Sequence, residues 1–165
     1  MTAGTDPMIK HQRGFTLVEM MVTLTLLACL SAAALPLVEK YGQRQKEEEL
    51  RVALRQIREA LDRYHQASVD GNIEKLIDAS GYPKDLPLLV EGVADKKSPN
   101  KSKIYFLRRI PRDPMCDCAS TSDAETWRIR SSTAAPNDFS GGKDVYDIAS
   151  SSTAIGLNGV PYAQW

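Results

Sequence analysis

An apolar run from Phe15 to Val38 constrains this chain more than any other feature of its sequence. The run is 24 residues long, and Glu19 is its only charged residue. At about 1.5 Å of rise per residue, a helix of this length spans roughly 36 Å, more than the hydrocarbon thickness of about 30 Å in a typical bilayer. The sequence therefore predicts one transmembrane helix over residues 15–38.

The short segment before the run is basic near the apolar boundary. Lys10, His11 and Arg13 lie there, and the excess of positive charge on the cytoplasmic side predicts that this end stays inside while the C-terminal part is exported. A secretory signal peptide also combines a basic start with an apolar stretch, although its apolar part is usually shorter. Ala32-Ala33-Ala34 is a candidate cleavage site for that alternative, which stays open at this point.

Glu19 is an unusual residue for a membrane helix. A carboxylate costs about 2.5–3.5 kcal/mol at the bilayer centre and less near the interface, and the apolar run contains no basic partner for it. A cut between Gly14 and Phe15 creates an α-amino group four residues before Glu19. Such a cation on one subunit is a suitable partner for the Glu19 carboxylate of its neighbour, whereas an anchor that never assembles leaves the carboxylate unexplained.

Residues 13–19, Arg-Gly-Phe-Thr-Leu-Val-Glu, resemble the type III signal of type IV pilins and type II secretion pseudopilins. In that family a prepilin peptidase cuts after the glycine and methylates the new N-terminal phenylalanine. The resemblance implies a cleaved leader over residues 1–14, processing at Gly14 and Phe15, and an assembly role for Glu19. Pro36 falls where the family commonly has a proline that bends the helix.

The chain continues as an amphipathic helix, predicted over residues 39–67, with Pro36 and Gly42 as bend points. Its apolar stripe follows spacings of four, three, four and three residues, which place the side chains on one helical face. The stripe consists of Leu50, Leu54, Ile57, Leu61 and Tyr64. On the exposed side, the i,i+4 spacing predicts the ion pairs Arg55–Glu59 and Glu59–Arg63.

The remaining sequence predicts a small antiparallel sheet that covers this stripe. Asp70-Gly71-Asn72 ends the helix with turn residues, a loop is expected through Pro87 to Gly92, and a short helical turn is expected over residues 73–77. Three segments have the composition of strands, namely residues 104–107, 127–131 and 145–149. The predicted fold is therefore α+β, a long N-terminal helix packed on a small antiparallel sheet, and residues 39–165 form one modest domain.

Several segments of this domain resemble, in order, landmarks of the major pseudopilin of type II secretion systems. They are residues 81–83, 88–93, 110–114 and 144–148. The resemblance implies a periplasmic pseudopilin head. The alternative within the same family is a surface pilin for adhesion, motility or DNA uptake, and adhesive pilins often end in a loop enclosed by a disulfide. Cys116 and Cys118 are separated by one residue and cannot enclose such a loop.

The cysteines give no disulfide framework, because Cys29 lies in the apolar run. Cys116 and Cys118 exceed the preferred Cα separation for a bridge if the chain is extended there, yet in an oxidising compartment they can pair. Plain thiols and a metal site are the alternatives, and a zinc site lacks ligands. The sequence does not decide.

Resemblance to the major pseudopilin also implies a calcium site near the C-terminus. The available side-chain oxygen donors are Asp144, Asp147 and Asn158. Calcium takes six to eight oxygen ligands, usually including several carboxylates, and residues 156–162 lack the acidic residues that the family pattern requires. The opposing interpretation treats the two aspartates as turn and strand-edge residues.

Seven basic residues between positions 96 and 112 form a cluster that invites comparison with DNA-binding pilins. They are Lys96, Lys97, Lys101, Lys103, Arg108, Arg109 and Arg112. Acidic residues flank the cluster and the chain has 21 basic and 21 acidic residues, so nucleic acid is not favoured as a partner. The sequence also contains no phosphate loop, nucleotide-binding glycine pattern or zinc-enzyme motif, which predicts a non-enzymatic protein.

The resemblance as a whole implies a structural subunit of a periplasmic pseudopilus that drives type II protein secretion across the outer membrane. Its expected partners are other copies of the chain through the N-terminal helix, the prepilin peptidase, minor pseudopilins and the inner-membrane assembly platform. The expected location is the bacterial inner membrane, crossed once, with the C-terminal domain in the periplasm. A tethered domain that never polymerises is a third possibility, and it predicts an intact leader.

Overall fold

The computed structural model describes residues 14–74, 80–100, 102–119 and 121–165, without the side chains of residues 33–39. The chain divides into two compact units, Met1–Tyr41 and Gly42–Trp165. The predicted leader, apart from Gly14, lies outside the described residues, as do Lys101 and most of the predicted helical turn at 73–77.

A single helix, α1, runs from Leu17 to Val69 and contributes to both units. The helix ends directly before the predicted turn, Asp70-Gly71-Asn72. Its last residue is two positions beyond the predicted end at residue 67. Gly71 adopts a positive φ of 72°, its N–H donates to Ser68 O, and the N–H of Asn72 donates to Ala67 O at 2.9 Å. These two bonds form a Schellman motif, in which glycine supplies the left-handed conformation at little steric cost.

The amphipathic stripe of α1 forms the core of the second unit, as predicted. Leu50 and Ile57 are 0% exposed and Tyr64 is 8% exposed. The stripe packs with apolar side chains from the rest of the unit, which are Ile73, Leu86, Leu89, Phe106, Trp127, Val145, Ile148 and Tyr162. Burial of each such side chain contributes about 1.5–3 kcal/mol, so this face fixes the position of the C-terminal half of α1.

Within the described residues, the strands form two antiparallel pairs. Strand β1, Val93–Ala94, pairs with β2, Lys103–Ile104. Strand β3, Trp127–Arg130, pairs with β4, Asp147–Ser150, with Ile129 opposite Ile148. The α+β prediction is therefore correct. Two turns of 3₁₀ helix, Asp123–Thr126 and Tyr162–Gln164, complete the described elements.

Two local predictions are wrong. The expected loop through Pro87 to Gly92 contains a short helix, α2, at Leu88–Glu91. The expected strand at 104–107 stops at Ile104, because the N–H groups of Phe106 and Leu107 both donate to Leu89 O at 3.0 Å. Packing of these residues against α2 overrides the β propensity of the segment.

The exposed ion pairs predicted along α1 are also replaced by other contacts. Arg63 donates to Phe106 O at 2.6 Å and to the main-chain oxygen of Glu59 at 3.3 Å. Of the described residues, neither Arg55 nor Arg63 lies within ion-pair distance of the Glu59 carboxylate. A fixed carbonyl acceptor gives Arg63 a charge-assisted hydrogen bond, which is generally stronger than an exposed i,i+4 pair.

In the first unit, the described apolar side chains of α1 are exposed. Exposure is 75% for Leu17, 68% for Val18 and 68% for Leu30. Among the residues that the structure describes, no helix is both long and apolar enough to cross a membrane.

Candidate functional site

The candidate processing and assembly site lies where α1 begins. Gly14, Phe15 and Thr16 precede the first helical residue, Leu17. Thr16 caps the helix, because its Oγ1 accepts a hydrogen bond from the N–H of Glu19 at 3.2 Å and its carbonyl accepts from Met20 N at 3.2 Å. A threonine followed three residues later by glutamate is the sequence signature of such a start.

The cap leaves the predicted processing residues accessible. Gly14 is exposed and has no helical hydrogen bond to lose on cleavage, and Phe15 is 77% exposed. Because the peptide bond between them precedes the helix, a protease can reach it in an extended conformation without unwinding α1. The geometry is therefore compatible with the predicted cut after Gly14.

Glu19 lies in the first turn of the helix and is accessible to another molecule. Its side chain is exposed, and no described residue lies within hydrogen-bond or ion-pair distance of its carboxylate. As an acidic residue in the first turn, it interacts favourably with the positive end of the helix dipole. The described residues thus leave the predicted assembly carboxylate available for an intermolecular partner.

This end of the chain matches a known sequence family. Residues 9–35 match the family described as "Prokaryotic N-terminal methylation motif". The chain carries a prepilin-type methylation signal. The signal supports a pilin-like chain, and it implies processing by a prepilin peptidase and assembly into a filament. No curated protein and no solved structure matches this chain.

Two other predictions concern the helix that follows the prepilin signal. Pro36 lies within α1, but its side chain and those of its neighbours are outside the described set. The predicted transmembrane segment, residues 15–38, includes six of these positions. Both the bending role of Pro36 and the bounds of the segment stay predictions.

The three predicted calcium ligands have different partners in the structure. Asp144 accepts hydrogen bonds from Ser131 and Ser132, and Asn158 Oδ1 accepts from Val160 N at 3.0 Å. Within the described part of the chain, no cluster of three or more histidine, cysteine or acidic side chains is placed to hold a metal ion. Calcium binding therefore stays a prediction.

Asp147, the third predicted ligand, bridges two arginines. Its Oδ1 lies 2.8 Å from Arg58 Nε, and its Oδ2 lies 3.2 Å from Arg130 Nη2. Arg58 also donates to the carbonyl oxygens of Ile148 and Trp165. The carboxylate therefore joins α1 to β3 and β4, a structural role close to the alternative interpretation of this residue as a strand-edge group.

Asp144 is buried, and its charge is stabilised by hydroxyl groups. Burial raises the pKa of the carboxyl, but hydrogen bonds from the side chains of Ser131, Ser132 and Ser80 and from the N–H of Ser132 outweigh this effect and lower the pKa to about 2. Three serines that no sequence pattern singled out thus stabilise the ionised form of Asp144.

Cys116 and Cys118 form a disulfide. Their Cα atoms are 5.3 Å apart, within the range that a bridge requires. The expectation from an extended chain does not apply, because two extended residues span roughly 6.6–7.2 Å and the chain is therefore bent between the cysteines. Cys29 is free and exposed.

The basic cluster is largely dispersed by contacts within the chain. Lys96 pairs with Glu74, whereas three other members donate to carbonyl oxygens. Lys97 donates to Asp70 O, Lys103 donates to Glu91 O, and Arg112 donates to Thr121 O and Cys118 O. Four of the seven cationic groups thus make contacts within the chain, whereas Lys101 lies outside the described residues.

Glu47 is a buried carboxylate that the sequence analysis missed. It is 4% exposed, and its Oε1 accepts from Tyr162 Oη at 2.9 Å and from Leu157 N at 2.7 Å. Burial raises the pKa of the Tyr162 phenol, which keeps the donor protonated. The available signal was position, because Glu47 precedes Leu50 by three residues and so extends the apolar stripe.

Proposed function

We propose that this chain is a structural subunit of a periplasmic pseudopilus that drives type II protein secretion across the outer membrane. The prepilin signal at residues 9–35 indicates the broader class of pilin-like filament subunits. The α+β head supports the same class, since its helix and sheet are built around the C-terminal half of α1. The finer assignment rests on the order of the pseudopilin-like segments.

The observation that carries the proposal is the exposed apolar surface of α1 behind the signal. Its large apolar side chains from Leu17 to Leu30 are between 42% and 75% exposed. A helix that is apolar on all sides is usually buried in a protein core or a membrane. In the proposed cycle this surface is covered first by lipid in the inner membrane and then by the helices of neighbouring subunits in the filament.

Glu19 sets the stagger between neighbours in this proposal. Cleavage after Gly14 gives each subunit a cationic terminus at Phe15, and that terminus pairs with the Glu19 carboxylate of the adjacent subunit. In an apolar environment an unpaired carboxylate is costly, so subunits in the wrong register are disfavoured by several kcal/mol. The proposed additional partners are minor pseudopilins and the inner-membrane assembly platform.

The disulfide supports a pseudopilin over an adhesive surface pilin. Cys116 and Cys118 enclose only Asp117, whereas adhesive pilins often have a long loop bounded by a disulfide. A deletion strain distinguishes the two roles. Loss of secreted enzymes without loss of surface filaments supports the pseudopilus, and loss of filaments outside the cell with normal secretion supports a surface pilin.

The experiment that tests the assembly mechanism compares two acidic residues of α1. We expect Glu19→Ala to abolish filament assembly while the protein still folds and is processed, as measured by crosslinking and sedimentation of filaments. Glu59→Ala is the matched control, because Glu59 is an exposed glutamate of the same helix outside the apolar run. Normal assembly of the Glu19→Ala protein would contradict the mechanism.

A further inference from the structure

We propose that the Cys116–Cys118 pair is a reversible thiol–disulfide exchange site, whose reactant is a thiolate of a small-molecule or protein thiol. Both cysteines are partly exposed, so that a thiolate can approach the sulfur atoms. The pair lies in the unit Gly42–Trp165, and the inference does not depend on filament assembly. Its basis is the way in which the surrounding chain holds the two cysteines.

The first support of the pair is Asp113, a buried residue just before it. Asp113 is 1% exposed, and its Oδ2 accepts from Ser150 Oγ at 2.6 Å and from Ser151 N at 3.1 Å. Its Oδ1 accepts from Met115 N at 2.8 Å, and its carbonyl accepts from Cys116 N at 3.2 Å. These contacts tie the N-terminal side of the pair to the end of β4.

The second support is Arg112, which holds the C-terminal side. Its guanidinium donates to Cys118 O and, at 2.8 Å, to Thr121 O, and it lies 3.4 Å from the Asp123 carboxylate. The carbonyl of the preceding residue in this loop, Pro111, accepts from the indole of the buried Trp127 at 2.8 Å. The backbone on both sides of the pair is therefore positioned by contacts that do not involve sulfur.

The bridge itself contributes little to the stability of the fold. The entropy that a disulfide removes from the unfolded chain grows with the number of residues it encloses, and this bridge encloses only one. Since noncovalent contacts already position both cysteines, the pair is expected to open and close while the rest of the domain stays folded.

The exchange proceeds in two balanced steps. A thiolate attacks one sulfur of the pair, forms a mixed disulfide with it, and releases the other cysteine as a thiolate. A second thiolate then attacks the mixed disulfide, which leaves both cysteines reduced and the two reductant thiols joined in a disulfide. The reverse sequence restores the bridge and returns two reduced thiols.

The test is a redox titration of the full chain, purified in detergent and carrying Cys29→Ser so that only the pair reacts. Glutathione is the probe, at a series of ratios of reduced to oxidised form. Acid quenching, alkylation and intact mass give the fractions of disulfide, mixed disulfide and dithiol, while near-UV circular dichroism reports the fold. We expect full, reversible reduction with the folded signal retained.

The contacts of Asp113 and Arg112 on either side of the pair are called the frame here. Arg112→Gln tests whether this frame positions the two cysteines. Loss of the charged hydrogen bonds from Arg112 to the loop should favour the reduced pair. The glutathione ratio at which half of the pair is reduced should change about tenfold in that direction. Arg109→Gln is the control, because within the described residues Arg109 is an exposed arginine without a hydrogen-bond or ion-pair partner, and its shift should be below about twofold.

Three results would overturn the inference. The first is alkylation of the pair only after addition of denaturant, which would mean a buried structural bridge. The second is loss of the folded signal at the same glutathione ratio that reduces the bond. The third is an equal shift for the Arg112→Gln and Arg109→Gln proteins, which would show that the frame has no influence on the pair.

Discussion

The two halves of α1 present their apolar side chains in opposite ways. From Leu17 to Leu30 the large side chains are exposed, whereas the stripe from Leu50 to Tyr64 is covered by the rest of its own unit. Their glutamates differ in the same way. Glu47 is buried against Tyr162 and Leu157, while Glu19 is exposed and has no partner among the described residues.

This difference shows which part of the helix has its apolar side chains covered by its own chain. The second half of α1 has a one-sided apolar pattern, and a single small domain can cover one face. The described large apolar side chains of the first half are exposed, and in the proposed filament they are covered by lipid or by other copies of the chain. The two carboxylates differ in the same way, since Glu47 has donors from its own unit, whereas the proposed donor to Glu19 is the terminus of another subunit.

The largest expected effect comes from a cavity in the covered half. Ile57→Ala should destabilise the head by about 3 kcal/mol, because Ile57 is 0% exposed and its removal leaves a void in the core. Leu27→Ala is the matched variant in the uncovered half, where Leu27 is 59% exposed, and it should change stability by less than about 0.5 kcal/mol. Urea unfolding followed by near-UV circular dichroism measures both.

The two glutamates give the next contrast. Glu47→Ala should cost about 2 kcal/mol, because it leaves the buried Tyr162 hydroxyl without its acceptor and also removes the acceptor of the Leu157 N–H. Glu19→Ala should leave the unfolding midpoint of the head unchanged. If thermal unfolding shows equal losses for the two proteins, the distinction between an internally satisfied and an externally satisfied carboxylate is wrong.

Asp144 adds a pH dependence that belongs to the head alone. Its pKa is lowered from 3.8 to about 2 in the folded chain, so the unfolded chain binds the proton more tightly. The stabilisation is therefore fully present above about pH 4 and is lost as the pH falls toward 2, with a total of about 1–2 kcal/mol. Asp144→Asn should remove this part of the acid dependence in urea titrations between pH 5 and 2.

Periodicity predicted the parts of the fold that depend on neighbouring turns of one helix. The spacing from Leu50 to Tyr64 identified the buried face, and Asp70-Gly71-Asn72 identified the end of α1. Both signals are local, because residues three and four apart share a helical face and glycine favours the left-handed conformation.

The parts that sequence reasoning missed depend on residues distant along the chain. Phe106 and Leu107 have strand-like composition, yet their N–H groups bind Leu89 O. Glu47 belongs to a run of three glutamates; its helical position places it in line with the apolar stripe, but its donors, Leu157 and Tyr162, are distant along the chain. The position of Cys116 and Cys118 likewise depends on the frame that Arg112 and Asp113 provide.

The most direct test of the proposed filament role is the N-terminal sequence and intact mass of the protein recovered from inner membranes. We expect a chain that starts at Phe15 with one added methyl group, which makes the cationic terminus available to the Glu19 of a neighbour. A chain that starts at or near Met1 would contradict the account and leave a tethered domain, and a start beyond Ala34 would show that the apolar run is a signal peptide.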